Sequence, residues 1–316
     1  MQPAGGTQRD RIRTAFSLAD LLWMLFFILL LVAILLPALS RARETAKRAV
    51  CRANLRGIGQ GEHIYANDNQ DWFPIDYFDP TTSGINKHTI RFVGSVGHNL
   101  EHRITKSNNA TRTHPSRSMF LLIILGANAP KSFICPSSSD VEDNLRNGAL
   151  RQQTAAQPGI NRFDFKGYPF FSYGYQIPFS RRGKPRESMA GYSRMPVNAD
   201  KGPFFEAGKN GQPSWSVPDA ARTDVSAPKF AGSAAKILKQ ASKSWRPYNS
   251  RNHGGEGQNV LYMDGHSEFA TSPIAGVNND NIYTVQTGFA LEDALLGEKP
   301  RDFIGPLTDT DAVIIP

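Results

Sequence analysis

Residues 21–39 read LLWMLFFILLLVAILLPAL, nineteen residues without a charge and with one interruption, Pro37. A helix of ~20 such residues crosses a hydrocarbon core of ~30 Å, so the run is long enough to span a membrane with little tilt. It is apolar on every face, which no helix in a soluble domain of this size needs. A cleaved signal peptide has an apolar region of ~7–15 residues followed by a small-x-small site. Here the run is longer and continues Pro37-Ala38-Leu39-Ser40-Arg41. The apolar stretch at 119–125 is too short to cross, so one span, N-terminal to one globular part, is expected.

Helical spacing does not stop at residue 39. Ala42, Ala46, Ala49 and Ala53 recur every three or four residues as a small-residue stripe, with Asn54, Ile58 and Tyr65 on an adjoining face. Gly57, Gly59 and Gly61 each weaken the later part by ~1 kcal/mol relative to Ala. Helix is expected to about Ala66, for a length of about 75 Å at 1.5 Å per residue. Arg41, Arg43, Lys47, Arg48, Arg52 and Arg56 give it a basic face, read as solvated or at lipid headgroups. A net charge of +8 is no contact in itself, and no nucleic-acid partner is expected.

Composition narrows the remainder. Among 316 residues, 27 Gly and 21 Pro are too few for a collagenous or low-complexity chain. Two cysteines make neither a disulfide-dense scaffold nor a four-thiolate zinc site. Cys51 and Cys135 are open to one bridge in an oxidising compartment, or to two separate buried thiols.

After residue 67 short apolar runs alternate with turn residues. SRSMFLLIIL at 116–125 reads as a helix capped by Ser116 and ended by Gly126. Residues 132–135, 170–177 and 192–198 read as strands bounded by Pro or Gly. Residues 84–115, 141–159 and 202–229 are polar and rich in Gly, Pro and Asn, and read as loops or insertions. QNVLYMDGHSEFA at 258–270 reads as a hairpin, with Asp264-Gly265 in a two-residue type I′ turn and Val260, Tyr262 and Phe269 towards the core.

His253, Asp264 and His266 offer a metal site or a catalytic pair. The blander assignment has His253 bonding its own loop, Asp264 making the turn and His266 pointing outward, and it is preferred because Asp-Gly needs no other reason to be there. His98-Asn99-Leu100-Glu101-His102 fits the His-x-x-Glu-His zinc pattern. That chemistry needs a firm helix, and Gly94, Gly97 and Asn108-Asn109 argue for a loop. No phosphate-cradling loop or Gly-x-Ser-x-Gly elbow is present in the sequence, so a non-enzyme is expected.

The N-terminal flank has a charge to explain. A basic leader, residues 1–15 with Arg9, Arg11 and Arg13, precedes Phe16-Ser17-Leu18-Ala19-Asp20. A carboxylate at a membrane helix is costly and usually has a partner. A cut between Ala15 and Phe16 would supply one, an α-amino group one turn from Asp20.

These residues resemble the type IV prepilin and pseudopilin N-terminus. That family has a basic leader, a Gly before the cut, a Phe as first mature residue, a small hydroxyl residue, a Leu and an acid before a long apolar helix. Phe16, Ser17 and Leu18 match, Ala15 stands in place of Gly and Asp20 in place of Glu, and Pro37 falls where pilin helices carry a kinking proline. His253, with ten residues before Asp264-Gly265, resembles the His-x9-Asp-Gly signature of a bacterial family that joins a prepilin-type N-terminus to a processing-associated domain. Phe133-Ile134-Cys135-Pro136-Ser137, Ser172-Tyr173-Gly174-Tyr175, Asp200-Lys201-Gly202-Pro203 and Asp280-Asn281-Ile282-Tyr283-Thr284 also look like that family.

The resemblance implies an α+β fold, a long N-terminal membrane-spanning helix packed on a pilin-like antiparallel sheet domain with long loop insertions. It implies a leader over 1–15, a membrane half over 16–39, a helix continuation over 40–68 and a periplasmic domain over 69–316 that includes the 250–270 His/Asp-Gly hairpin. Its implied partners are the prepilin peptidase, other pilin or pseudopilin subunits and an inner-membrane secretion platform. No cofactor is implied, although pseudopilin relatives hold Ca²⁺ in a C-terminal loop and residues 278–281 carry oxygen ligands. The positive-inside rule alone would keep the body cytoplasmic, because six basic residues lie at 41–56. The expectation follows the family instead, with a single inner-membrane pass and a periplasmic body. The rivals are a membrane-anchored zinc hydrolase using His98, Glu101 and His102, and an anchored binding protein that never polymerises.

Overall fold

The computed structural model describes residues 18–75, 114–147, 154–155, 157–160, 162–177, 193–204, 226–300 and 305–315. The chain forms two compact units, residues 1–45 and 46–316. Helix α1, Leu18–Asp68, contributes to both and carries Pro37 inside it. In the first unit its side chains are exposed from Leu18 to Arg43, and α1 is long and apolar enough to cross a membrane.

In the second unit α1 turns a stripe inward. Cys51, Leu55, Ile58, Glu62 and Ala66, spaced by four, three, four and four, are buried. The alanine stripe, Ala42, Ala46, Ala49 and Ala53, is exposed. The larger side chains of the neighbouring stripe bury more apolar area per residue and take the core. The helix ends two residues beyond the expected point, where Gln70 and Asp71 take positive φ and Asp71 N–H donates to Ala66 O at 2.8 Å. Helix α2 is Pro115–Ile124. Its cap is His114 and not Ser116, with Ser116 N–H donating to His114 Nδ1 at 3.2 Å. Pro115 at the first helical position lacks an N–H that would have been an orphan there.

Strands β1, Arg146–Asn147, and β2, Thr154–Ala155, form a short pair inside a segment expected to be loop. The main sheet comprises β3 Tyr173–Gln176, β4 Pro196–Asp200, β5 Gln258–Tyr262, β6 Ser267–Ala270 and β7 Ile314–Ile315. Its order is β6-β5-β4-β3-β7 and every neighbouring pair is antiparallel. The fold is therefore α+β. Helices α3 Ala234–Leu238, α4 Ser242–Trp245 and α5 Leu291–Leu296 supply a satellite cluster around Ile237, Trp245 and Leu295.

All residues of β3, β4 and β5 are buried, so the alternation of a half-exposed strand is absent. Residues 51–66 of α1 join α2 and these strands in one core. Gly59 lets the helix approach, since a Cβ there would meet Leu261 Cδ2 at 2.9 Å. Three local expectations shift. Residues 132–135 lie in and after a 3₁₀ turn, Pro130–Phe133, that Pro130 starts with its fixed φ. The expected 170–177 strand shortens to β3 because a 3₁₀ turn occupies Tyr168–Phe170. The expected 192–198 strand moves to β4, which begins at Pro196 and carries a register irregularity between Pro196 and Asn198 that accommodates the missing donor.

Candidate functional site

The β5–β6 hairpin is present but its turn is one residue longer than expected. Tyr262 N–H donates to His266 O at 2.9 Å and Gly265 N–H to Tyr262 O at 2.9 Å, leaving Met263, Asp264 and Gly265 as the loop. Only Gly265 has positive φ there, at 86°, whereas a type I′ turn needs two such residues. His266 N–H donates to Asp264 Oδ1 at 3.0 Å, and its ring also contacts that oxygen while stacking on Tyr262 at 4.4 Å. Partial burial raises the Asp264 pKa, but the His266 backbone and ring outweigh it and hold this carboxyl below its ordinary value. Asp264 and His266 are 41% and 44% exposed and belong to the hairpin tip.

His253 does not join them. It lies in the loop between α4 and β5, where Gly254 and Gly255 take φ of 65° and 75° and turn the chain back towards β5. Its side chain is fully buried, and Nε2 stands 3.3 Å from Asp200 Oδ2, 3.0 Å from Asn259 Nδ2 and 3.7 Å from Cys135 Sγ. Phe269 packs edge-on against the ring at 5.7 Å, and Arg48 covers Phe269 at 4.4 Å while pairing with Glu256.

Asp200 is the centre of this cluster. It closes β4 beside the Ala199↔Val260 pair, which brings it level with Asn259 on β5. Its Oδ2 accepts from Asn259 N–H at 2.6 Å and Asn259 Nδ2 at 3.2 Å, and its Oδ1 accepts from Asn252 Nδ2 at 3.1 Å. A buried carboxylate needs such donors, because a charge without them is expensive in a low dielectric. Asn259 Oδ1 is buried with no hydrogen-bond partner among the described residues.

Two sulfurs complete the arrangement. Cys51 on α1 and Cys135 are joined by a disulfide, with Cα atoms 5.2 Å apart. The segment after Phe133 is held independently of the bridge: Asn54 Nδ2 donates to Ile134 O at 2.9 Å, and Ser172 N–H to Phe133 O at 2.7 Å. One donor atom from each of Cys51, Cys135, Asp200 and His253 lies within 4.8 Å of every other. The grouping thus combines two soft sulfur donors with an imidazole nitrogen and a carboxylate oxygen.

The remaining expected site residues fall elsewhere. Asp20 is in the first turn of α1 and Pro37 within it. Ala15 and Phe16, and the trio His98, Glu101 and His102, lie outside the described residues. In the segment considered for Ca²⁺, Asp280 is committed to neighbours: Gln286 Nε2 donates to its Oδ1 at 2.9 Å and Ala312 N–H to its Oδ2 at 2.7 Å. Burial, with the charge of Asp311 added to it, pushes the Asp280 pKa well up, and burial raises Asp311 to about 6. Asn281 accepts from Tyr283 N–H and donates to Leu295 O.

Asp200, Asn252 and Asn259 were not singled out from the sequence as a site. A signal existed, since Gln258-Asn259 opens an otherwise apolar strand with two amides, and interior strands keep such groups only when they are paired. Glu62 was missed too. It is buried on the inner stripe of α1, and burial raises its pKa to about 8 although the Asn198 side chain offers a hydrogen bond that lowers it.

Comparison with models of protein families, with curated proteins and with solved structures finds no match to this chain.

Proposed function

We propose that this chain is a pseudopilin-like structural subunit of a type II secretion or type IV pilus-like assembly, and not an enzyme. The observation that carries the proposal is the first half of α1, apolar and exposed on all sides, with an acidic residue, Asp20, in its opening turn. Such a surface is satisfied only by lipid or by other apolar helices. The prepilin peptidase removes residues 1–15 and methylates the amine of Phe16. Asp20 then offsets the amine of a neighbouring subunit, which sets the axial register of the stack. The body is periplasmic, held at the inner membrane by one pass until the subunit is extracted into the assembly, and its polar surface meets the partners. The long loop-rich body suits a minor or tip subunit better than a tightly packed major one.

The test is intact mass and N-terminal sequencing of the protein extracted from its host membranes. A chain that starts at methylated Phe16 is the expected result. A retained leader would overturn the proposal and leave a plain signal anchor.

A further inference from the structure

We propose that the Cys51–Cys135 pair is one state of a redox-gated zinc site, in which the reduced thiols bind Zn²⁺ together with His253 Nε2 and an Asp200 carboxylate oxygen. Zinc takes four such donors in a tetrahedron, with bonds of about 2.3 Å to sulfur and about 2.0–2.2 Å to nitrogen and oxygen. Those lengths put neighbouring donors about 3.3–3.8 Å apart. The donor atoms here lie within 4.8 Å of one another, and the nitrogen already stands 3.3 Å from the carboxylate oxygen and 3.7 Å from one sulfur. The sulfurs must part and the remaining donor pairs, within 4.8 Å of one another, must settle to those separations, which side-chain rotation allows once the sulfur–sulfur bond is broken. Backbone displacement is opposed by the Asn54 and Ser172 hydrogen bonds on either side of the Cys135 segment.

Charge favours the exchange. A disulfide is neutral, and so is a zinc ion with two thiolates, so the metal enters without changing the net charge buried beside Asp200. Two thiolates without metal would add two negative charges there, which the interior does not tolerate. The outer contacts that orient zinc ligands are already in place, with Asn259 N–H and Asn252 Nδ2 fixing the carboxylate and Phe269 packing the imidazole. Asn259 Nδ2 now donates to His253 Nε2 at 3.0 Å, and the amide must turn away from the ring for that nitrogen to bind the metal.

The step balances with a thiol reductant. The protein disulfide, two thiols and Zn²⁺ give the zinc dithiolate, one small disulfide and two protons. The reverse, driven by a disulfide oxidant, re-forms the bridge and expels the metal. A subunit made in a reducing compartment would therefore carry zinc across α1 and the Cys135 segment, and would exchange it for a covalent bond on reaching an oxidising one.

The full chain in detergent is reduced with a phosphine, which adds no competing thiol, using denaturant and refolding where the native bridge resists. It is returned to buffer with a slight excess of zinc chloride, desalted and analysed for metal, beside an oxidised sample. About one zinc per chain is expected in the reduced sample and none above background in the oxidised one. Cobalt(II) in place of zinc should show thiolate-to-metal charge transfer and the visible bands of a tetrahedral site. His253→Gln and Asp200→Asn should each weaken retention at least ~10-fold while leaving the oxidised bridge intact. Absence of retained metal in the reduced wild type would overturn the proposal without any variant. Equal retention by His253→Gln, with the same cobalt spectrum, would overturn it as well.

Discussion

Residues 21–39 and residues 51–66 lie on one helix and obey different rules. The first stretch is uncharged and apolar all round, yet its side chains are exposed. The second includes Arg52, Arg56, Glu62 and three glycines, yet it buries Cys51, Leu55 and Ile58 at the centre of the core. Apolar content is thus a poor guide to which part of a helix serves its own fold. Spacing is the better one, because an intramolecular core uses one stripe, whereas an environment that surrounds the helix uses all of it.

The sharpest way to break the contrast is at Cys51. The bridge closes a sequence separation of 84, so Cys51→Ser should cost about 4.5 kcal/mol by loop-closure entropy. Denaturant unfolding of the oxidised protein checks this, and a loss under about 1 kcal/mol would mean the unfolded chain already keeps those segments close without the bridge. Next come two leucines with opposite duties. Leu55→Ala, in the buried stripe, should lower the stability of the body by about 3 kcal/mol and leave membrane partition unchanged. Leu30→Arg, at an exposed position, should do the reverse, with an insertion cost of about 3 kcal/mol read by membrane fractionation and an unchanged unfolding midpoint. A destabilised body in Leu30→Arg would show that the first half serves the fold after all.

The last effect is a slope, small at any one pH step. The Glu62 carboxyl titrates at about 8 in the folded chain against 4.5 ordinarily, so the folded state holds a proton that the unfolded state has lost. The stability it contributes is complete below pH 4.5 and drains away as pH rises to about 8. Its share of the slope is about 1.4 kcal/mol per pH unit. Glu62→Gln should flatten that part of the profile, measured by urea unfolding at several pH values. An unaltered slope would place the titration elsewhere.

How legible this was follows from the same distinction between local and distant causes. The apolar run, the helix end near Ala66 and the Asp264-Gly265 hairpin are each written within about twenty consecutive residues or fewer, and each is found in place. The type of hairpin turn was not legible, because Asp-Gly serves two- and three-residue loops alike and pairing register decides between them. β4 is offset from the expected 192–198 strand, which runs through Pro196, because a register irregularity lets that proline open the strand instead of interrupting it. The Asp200 cluster draws on residues 51, 135, 200, 252, 253 and 259. No spacing rule connects those positions. In the sequence His253 stands out by its distance from Asp264, whereas in the fold its ring nitrogen meets Asp200, Asn259 and Cys135.

The disulfide also alters what a cut chain is. A protease that nicks the backbone once anywhere between residues 52 and 134 leaves fragments still joined through sulfur. The piece bearing the apolar helix would keep the rest of the body in the membrane fraction, and a non-reducing gel would show one band of full mass. Adding reductant to the denatured sample would separate the two fragments, whereas in the folded body residues 51–66 of α1 would still pack in the common core. With α1 in a bilayer, a nicked body would be kept there by the bridge and by the core that residues 51–66 share with the sheet. A cut backbone and a reduced disulfide together would still leave the packing to overcome.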